Sequence, residues 1–328
     1  MTSHEGAKTR NQTGSFSCLG VFVAVTSATL VVPALAQRAT FRSQTALVAL
    51  NVTVVDDKGL PIRGLSRDSF TVTEDDRPQP ITQFANDDIP LSLVLALDAS
   101  GSMKGRRFDY AVEAVMKFMD RLRPNDELTV LGFNDRPFNV TFGTTNRDRV
   151  REALGRVQPD GSTALYAAVN SAIDALRMSM HRKQALVVIS DGNDYRPGDR
   201  SQNWRPFPPA SVQQRAIPTL ERIKHSETLV YAIGVDASDV PLYDRLDATA
   251  LRAMTDSSGG STVIVRSNEA VTSAAELIGD ELRQQYAIGF VPAHPADGKF
   301  HHVKITVKGC ACHVRARRGF VADKPKAP

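Results

Sequence analysis

The sequence has almost no excess charge of either sign, although basic residues are numerous. Of its 328 residues, 40 are Lys or Arg and 36 are Asp or Glu, so the formal net charge is only +4. No stripe of basic residues is visible, which argues against a nucleic-acid-binding protein. Three arginines between positions 315 and 318 suggest one face of a strand near the terminus, and we expect a strand there rather than a phosphate site.

Long apolar runs are also scarce, which argues against a polytopic membrane protein. Hydrophobic residues make up 42% of the sequence and charged residues 23%, as in ordinary soluble globular proteins. The same composition argues against a disordered or collagen-like chain. A length of 328 residues predicts two domains, or one large domain with a small module.

The one long uncharged run, residues 16–32, follows a mildly basic start. Pro33-Ala34-Leu35-Ala36 comes next and fits the small-x-small pattern of a signal-peptide cleavage site. We therefore expect residues 1–36 to be a signal peptide cleaved after Ala36. The mature chain would then be secreted, periplasmic or on the cell surface, without a membrane span. The alternative is an uncleaved anchor, because about 17 apolar residues are close to the shortest length that spans a bilayer.

Cysteine is rare, and only Cys310 and Cys312 follow residue 36. Two thiols alone are too few for a metal site. On a regular strand their side chains would point to the same face and lie too far apart for easy bridging. A tight turn at Gly309 would bring them closer, so a disulfide and two free thiols both stay open.

The pattern of apolar residues changes twice along the chain. In residues 45–86, apolar and polar residues alternate with period two, as in half-buried strands, and residues 285–321 show the same strand-like pattern. Between them, in residues 90–281, continuous apolar runs alternate with segments whose apolar residues recur at helical spacing. This alternation predicts a mostly parallel, doubly wound sheet. The predicted fold class is α/β, with a small β-sandwich-like module built from the two flanking segments. The predicted strands of the sheet are 91–97, 128–133, 185–189, 228–235 and 261–265.

Carboxylates and hydroxyls follow the predicted strands. Strand 91–97 leads into Asp98, Ser100 and Ser102, strand 185–189 leads into Asp191, and Thr163 opens a helix between them. In a doubly wound sheet these three loops lie at the carboxyl edge, where ligands bind. Each of these three short motifs alone is also typical of a helix cap or a turn. The ligand-site prediction therefore depends on finding all three in this order.

These five side chains predict an all-oxygen cation site. Oxygen ligands suit a hard divalent cation, with Mg²⁺ expected first and Mn²⁺ or Ca²⁺ as alternatives, and the lack of His and Cys in the set argues against zinc. Two carboxylates with neutral hydroxyls leave the cation able to accept one more oxygen ligand, for example a carboxylate of another molecule.

The same residues resemble the von Willebrand factor type A family and its metal-ion-dependent adhesion site. Asp98, Ser100 and Ser102 match the DxSxS motif of the family, Thr163 its loop threonine and Asp191 its second aspartate. The resemblance covers about residues 91–280. It implies that the three hydroxyls contact the metal, and that the two aspartates act directly or through water.

The flanking segments resemble exported proteins related to this family that are common in acidobacteria. The residues that carry this likeness lie at 64–72, 286–290 and 315–320. Ala167 stands where many relatives have Asp. Because this position is not a metal ligand in the family, we expect its effect to be indirect.

Two loops at the same edge are candidates for specificity. Loop 193–209 holds four candidate partner-binding residues, since Trp and Arg are favoured at interfaces. The alternative is a Pro-rich surface loop that packs on its own domain. Loop 236–247 carries four aspartates, but their spacing does not match an EF-hand, so we expect a solvated loop rather than a second cation site. The candidate partner-binding residues are Arg196, Trp204, Arg205 and Phe207.

The motifs favour a binding module over an enzyme. Ser100 lacks the G-x-S-x-G context of a hydrolase, no histidine lies near the three loops in sequence, and there is no P-loop. We therefore expect an exported, adhesion-type module whose cation binds a Glu or Asp carboxylate of a partner protein. The alternatives are a structural or assembly protein whose metal only stabilises loops, and a metal-dependent hydrolase.

Overall fold

The computed structural model describes residues 47–86, 89–195, 210–236, 246–294 and 297–322. The expected signal peptide and its cleavage site lie outside these residues, and so do the four candidate partner-binding residues of loop 193–209. Within the described ranges, no helix combines the length and the apolar character needed to cross a membrane.

The described residues form strands and helices in three groups along the chain. The strands are β1 (Val48–Val55), β2 (Phe70–Glu74), β3 (Arg77–Gln79), β4 (Ile81–Ala85), β5 (Leu91–Asp98), β6 (Glu127–Phe133), β7 (Pro137–Thr144), β8 (Lys183–Ser190), β9 (Leu229–Val235), β10 (Thr262–Val265), β11 (Tyr286–Phe290), β12 (Phe300–Val307), β13 (His313–Arg315) and β14 (Gly319–Val321). The helices are α1 (Arg106–Arg121), α2 (Arg147–Leu154), α3 (Leu165–Arg177), α4 (Ala210–His225), α5 (Ala248–Ser258) and α6 (Asn268–Arg283).

A six-stranded sheet in the order β10-β9-β8-β5-β6-β7 forms the centre of the middle segment. Its strands are parallel except for β7, which pairs antiparallel to β6 at one edge. Helices α1 and α6 pack on one face, and α3, α4 and α5 on the other. All eight residues of β5 are therefore buried, which explains why residues 91–97 are apolar except for Ser92. The predicted α/β fold class is confirmed.

The flanking segments pair with each other in two antiparallel sheets, ordered β13-β1-β11-β4 and β14-β12-β2-β3. In the first, Val48 of β1 faces Phe290 of β11, and in the second Val72 of β2 faces Ile305 of β12. Apolar side chains of both sheets form one shared core. The β-sandwich-like module of the predicted fold class thus joins strands from both ends of the described chain.

An ion pair between a partly exposed arginine and a buried glutamate connects this module to helix α6. Arg315 Nη1 of β13 lies 2.5 Å from Glu281 Oε1, and the Glu281 side chain is fully buried. Burial raises the pKa of Glu281, and the Arg315 guanidinium opposes that rise.

The structure adds elements that the sequence pattern did not predict. Strand β7 and helices α2 and α5 were missed, and α3 begins at Leu165, so Thr163 lies in the preceding loop. Cys310 and Cys312 form a disulfide, with their Cα atoms 5.3 Å apart. Gly309 precedes them with φ +66°, the left-handed conformation that a turn at this point requires.

Candidate metal site

The candidate site lies where β5 and β8 end side by side. Asp98 is the last residue of β5, and Asp191 directly follows β8. The chain leaves these two neighbouring strands toward opposite faces of the sheet, because α1 after β5 packs on one face and α4 after β8 packs on the other. Such a switch point opens a crevice at the carboxyl ends of the strands, where ligands bind in folds of this class.

The loop after β5 presents two hydroxyls beside a buried carboxylate. The Ser100 N–H donates to Asp98 Oδ1 over 2.9 Å, and Ser100 Oγ lies 3.1 Å from Ser102 Oγ. Neighbouring ligands on an octahedral ion lie about 2.9 Å apart for Mg²⁺ and about 3.4 Å apart for Ca²⁺, from the bond lengths of each ion. The observed separation of the two hydroxyls therefore fits a hard divalent cation.

The second carboxylate lies beside the first. Ser190 Oγ donates to Asp98 Oδ2 over 2.6 Å and accepts from the Gly192 N–H, which connects the ends of β5 and β8. Asp98 and Asp191 are both fully buried. Burial and the Asp191 charge raise the pKa of Asp98 to about 7, and burial raises the pKa of Asp191. A bound cation would relieve both effects, so the residues fit an oxygen-liganded divalent ion.

The loop that carries Thr163 is hydrogen-bonded to the loop after β5 and to the loop after β8. The Gly101 N–H donates to Gly161 O over 2.9 Å, and the Thr163 N–H donates to Tyr195 O over 2.8 Å. Thr163 itself is only 3% exposed. The structure thus places all five candidate ligands at one edge of the sheet.

Asp135, just after β6, holds this loop and was missed by the sequence analysis. Its Oδ1 accepts the Ser162 N–H over 2.7 Å and also accepts the Ser162 hydroxyl. These hydrogen bonds lower the pKa of Asp135. Its position could have identified it as a site residue, because Asp135 follows a buried strand at the same carboxyl edge.

Arg107, the second residue of α1, was also missed. Its side chain is 1% exposed, and its Nη1 donates to Ser102 O over 3.0 Å and to Asp191 Oδ2 over 3.2 Å. The guanidinium therefore places one positive charge beside the buried Asp191 carboxylate, whose own charge acts on Asp98. A basic residue at a helix start normally suggests solvent exposure, so the sequence alone gave no reason to place Arg107 here.

The start of loop 193–209 is fixed at the site, although residues 196–209 lie outside the described ranges. Asp194 Oδ1 accepts the Tyr166 N–H over 3.2 Å, and Asp194 Oδ2 accepts from Arg215 Nε over 2.6 Å. These contacts tie the loop to the beginnings of α3 and α4.

The two described aspartates of loop 236–247 have local structural partners. Asp247 caps α5 by accepting the Ala250 N–H over 3.0 Å, and Asp236 pairs with Arg266 over 2.8 Å. The N-cap of α5 is a role that the sequence analysis did not assign.

Comparisons with known proteins concern mainly the middle segment. Residues 93–193 match the family model described as the von Willebrand factor type A domain. An uncharacterized protein of Synechocystis sp. is 30% identical over 116 residues, covering 34% of this chain and 28% of that protein. The human voltage-dependent calcium channel subunit alpha-2/delta-4 is 27% identical over 132 residues, covering 35% of this chain and 12% of that subunit.

Among solved structures, the chain is similar to a von Willebrand factor type A protein from Catenulispora acidiphila. The TM-score is 0.48 at 13% identity, with 86% of this chain and 74% of that chain covered. The chain spans less than a third of the length of either sequence relative named above.

Proposed function

The chain contains a von Willebrand factor type A domain, and we propose that this domain binds a partner protein through a divalent cation. The observation that carries the proposal is the convergence of oxygen donors at the switch point of the sheet. Asp98, Ser100 and Asp191 are fully buried there, and the Ser100 and Ser102 hydroxyls are spaced as neighbouring ligands of one ion. Buried carboxylates gain most from a cation that neutralises them.

Each residue of the site has a proposed role. The hydroxyls of Ser100, Ser102 and Thr163 would hold the ion, while Asp98 and Asp191 supply negative charge directly or through water. Mg²⁺ is the proposed ion, with Mn²⁺ and Ca²⁺ as alternatives. When bound, the cation supplies an open coordination position, and a Glu or Asp carboxylate of the partner would fill it.

The remaining parts of the chain complete this proposal. Arg196, Trp204, Arg205 and Phe207 follow the anchored Asp194 and would contact the partner around the metal. Residues 1–36 would direct export, residues 90–281 would form the binding domain, and residues 45–86 and 285–321 together would form the β module.

Binding is proposed in preference to catalysis because of what surrounds the carboxylates. Among the described residues, the side chains that hydrogen-bond to Asp98 and Asp191 are serines, Arg107 and Asn193. None of these is a histidine or a further carboxylate, so the two aspartates proposed to face the cation have no separate general base beside them for a serine or water nucleophile.

The first test is a calorimetric titration of Mg²⁺, Mn²⁺ and Ca²⁺ into metal-stripped protein. We expect saturable binding in the wild type, at least 100-fold weaker binding in Asp98→Ala, and unchanged binding in Asp160→Ala. Asp160 is the matched control, because its side chain is 80% exposed and pairs with Lys104 beside the site. Failure to bind any of the three ions, alone or with an acidic peptide present, would contradict the proposal.

A partner-capture experiment separates binding from a purely structural role of the metal. Asp191→Ala should abolish metal-dependent capture of the partner while the protein remains folded. If capture persists and only thermal stability falls, the metal stabilises loops and the binding proposal is wrong.

A further inference from the structure

A second group of ligating side chains lies in the β module, far in sequence from the residues proposed above to hold Mg²⁺. Glu74 ends β2, His301 lies in the neighbouring strand β12, and His294 lies in the loop between β11 and β12. One ligand atom from each of these side chains lies within 4.8 Å of the other two. The group therefore combines the N-terminal and C-terminal parts of the module.

Glu74 is the least satisfied member of this group. The residue is fully buried, and its Oε2 accepts the Ala293 N–H over 2.7 Å. Its Oε1 is buried without a hydrogen-bond partner. No Lys or Arg of the described chain forms an ion pair with Glu74. A buried carboxylate without a counter-charge is costly, so a cation at this oxygen would be strongly favoured.

The two histidines lie against further carboxylates. The His294 and His301 rings stack with their centroids 4.6 Å apart. His301 Nδ1 lies 2.8 Å from Asp75 Oδ2, and His301 Nε2 lies 3.2 Å from Asp297 Oδ1. His294 Nε2 is 3.5 Å from the same Asp75 oxygen and is buried without a hydrogen bond. Three carboxylates thus face two imidazoles.

Little fixed positive charge balances these carboxylates among the described residues. The Lys299 ammonium lies 3.9 Å from Asp297, but its side chain is 79% exposed, so solvent screens this pair. The cluster therefore has the charge and the donor atoms of a cation site.

We propose that Glu74, His294 and His301 bind a divalent transition-metal ion, for which Zn²⁺ is the best match. Two imidazole nitrogens and one carboxylate oxygen suit zinc, whereas Mg²⁺ and Ca²⁺ prefer oxygen alone. Asp75 keeps its contact with His301 Nδ1 and orients the ring, as outer carboxylates do for metal-bound histidines. His301 then binds through Nε2, and Asp297, which is 28% exposed, moves aside or takes the fourth position.

Metal binding requires small movements that the structure permits. Ligands on a tetrahedral zinc ion lie about 3.4 Å apart, from bond lengths of about 2.0–2.1 Å. The three donor atoms lie within 4.8 Å of one another, so any pair farther apart than the zinc geometry allows must move closer. The two rings are inclined by only 17°, and a ring nitrogen binds in the plane of its ring, so one ring must turn. His294 can do so, because it lies in a loop and its side chain is 28% exposed.

Zinc binding by the full-length protein, freed of metal and of any affinity tag, tests the proposal. Excess Mg²⁺ is kept in the buffer to occupy the oxygen site, and zinc is measured by calorimetry and by metal analysis after dialysis. We expect one zinc ion per wild-type chain and at least 100-fold weaker binding in Glu74→Gln and in His294→Ala. His302→Ala is the matched control, because His302 lies beside His301 on β12 with its side chain exposed, and it should bind zinc as the wild type does.

Two further readouts make the result decisive. Zinc should raise the melting temperature of the wild type and of His302→Ala but not of His294→Ala. Cobalt substitution should give the intense visible bands of a four-coordinate ion in the wild type and in His302→Ala, but not in His294→Ala. Absence of retained zinc in the wild type, or equal zinc retention in His294→Ala, overturns the proposal. His294→Ala decides the question even if Glu74→Gln fails to fold, because His294 is partly exposed in a loop.

Discussion

Arg107 Nη1 lies 3.2 Å from Asp191 Oδ2, and both side chains are almost completely buried. The same nitrogen bonds to the Ser102 carbonyl, so one guanidinium connects the loop after β5 with the loop after β8. With Asp98 and Asp191 ionised, two negative charges face one positive charge. The net charge of these three side chains is then negative. A divalent cation would make it positive, and one carboxylate from a partner would restore neutrality.

Removal of the Arg107 charge should make folding depend on metal. In metal-free protein, Arg107→Met should lower the free energy of unfolding by about 3 kcal/mol, because Asp191 is left buried without its partner. Mg²⁺ should recover part of the loss by supplying positive charge at the same carboxylates. Urea denaturation with and without Mg²⁺ measures both effects. Arg106→Met is the control, since Arg106 is exposed; equal stability of the two variants in metal-free protein would show that the pair is unimportant.

Asp135 should affect metal affinity without touching the metal. Asp135→Ala removes the acceptor for the Ser162 N–H and should loosen the loop that carries Thr163. We expect Mg²⁺ affinity to fall roughly tenfold, as for other residues that orient metal ligands. Calorimetry on Asp135→Ala beside Asp160→Ala checks this expectation, and similar affinities in the two variants would argue against a positioning role.

The ion pair between Glu281 and Arg315 should stabilise the contact of helix α6 with the β module. Arg315→Met leaves the fully buried Glu281 carboxylate uncompensated and should cost about 3 kcal/mol in the free energy of unfolding. Adding Glu281→Gln removes the buried charge and should restore much of the stability. Chemical denaturation of the single and double variants measures the recovery, with Arg318→Met as the exposed control. A double variant as unstable as Arg315→Met would mean that packing, not charge, explains the loss.

Lys183 should make stability rise with pH in the alkaline range. Burial, assisted by the Arg283 charge, lowers the pKa of Lys183 to about 8, against 10.5 as the ordinary value. Between these two pH values the unfolded chain binds more protons than the folded protein, so this residue increases stability as pH rises. This increase in the free energy of unfolding is at most about 3 kcal/mol.

Urea denaturation across that pH interval tests the Lys183 prediction. Lys183→Met should abolish the rise and stabilise the protein at neutral pH, where the wild type must bury a charged ammonium. Lys58→Met, on the exposed surface, should retain the pH dependence of the wild type. An identical pH profile in Lys183→Met and the wild type would show that this ammonium stays solvated.

The parallel strands could be predicted because burial on both faces leaves a local pattern. Strand β5 is buried at every residue, and its residues 91–97 form an apolar run that only Ser92 interrupts. Edge strand β7 has mixed exposure, and α2 is a short, charged helix with only Val150 and Leu154 buried, so neither has a clear periodic signal.

The sequence by itself determined the oxygen donors of the candidate site, since Asp98, Ser100 and Ser102 form a contiguous motif next to a recognisable strand. Only the tertiary structure decided which charges meet. Arg107 and Asp191 are 84 residues apart, and His301 and Asp75 are 226 apart. Such pairs leave no local pattern, because strand order and helix packing bring them together. For the same reason, the metal site proposed in the β module could not be read from the sequence.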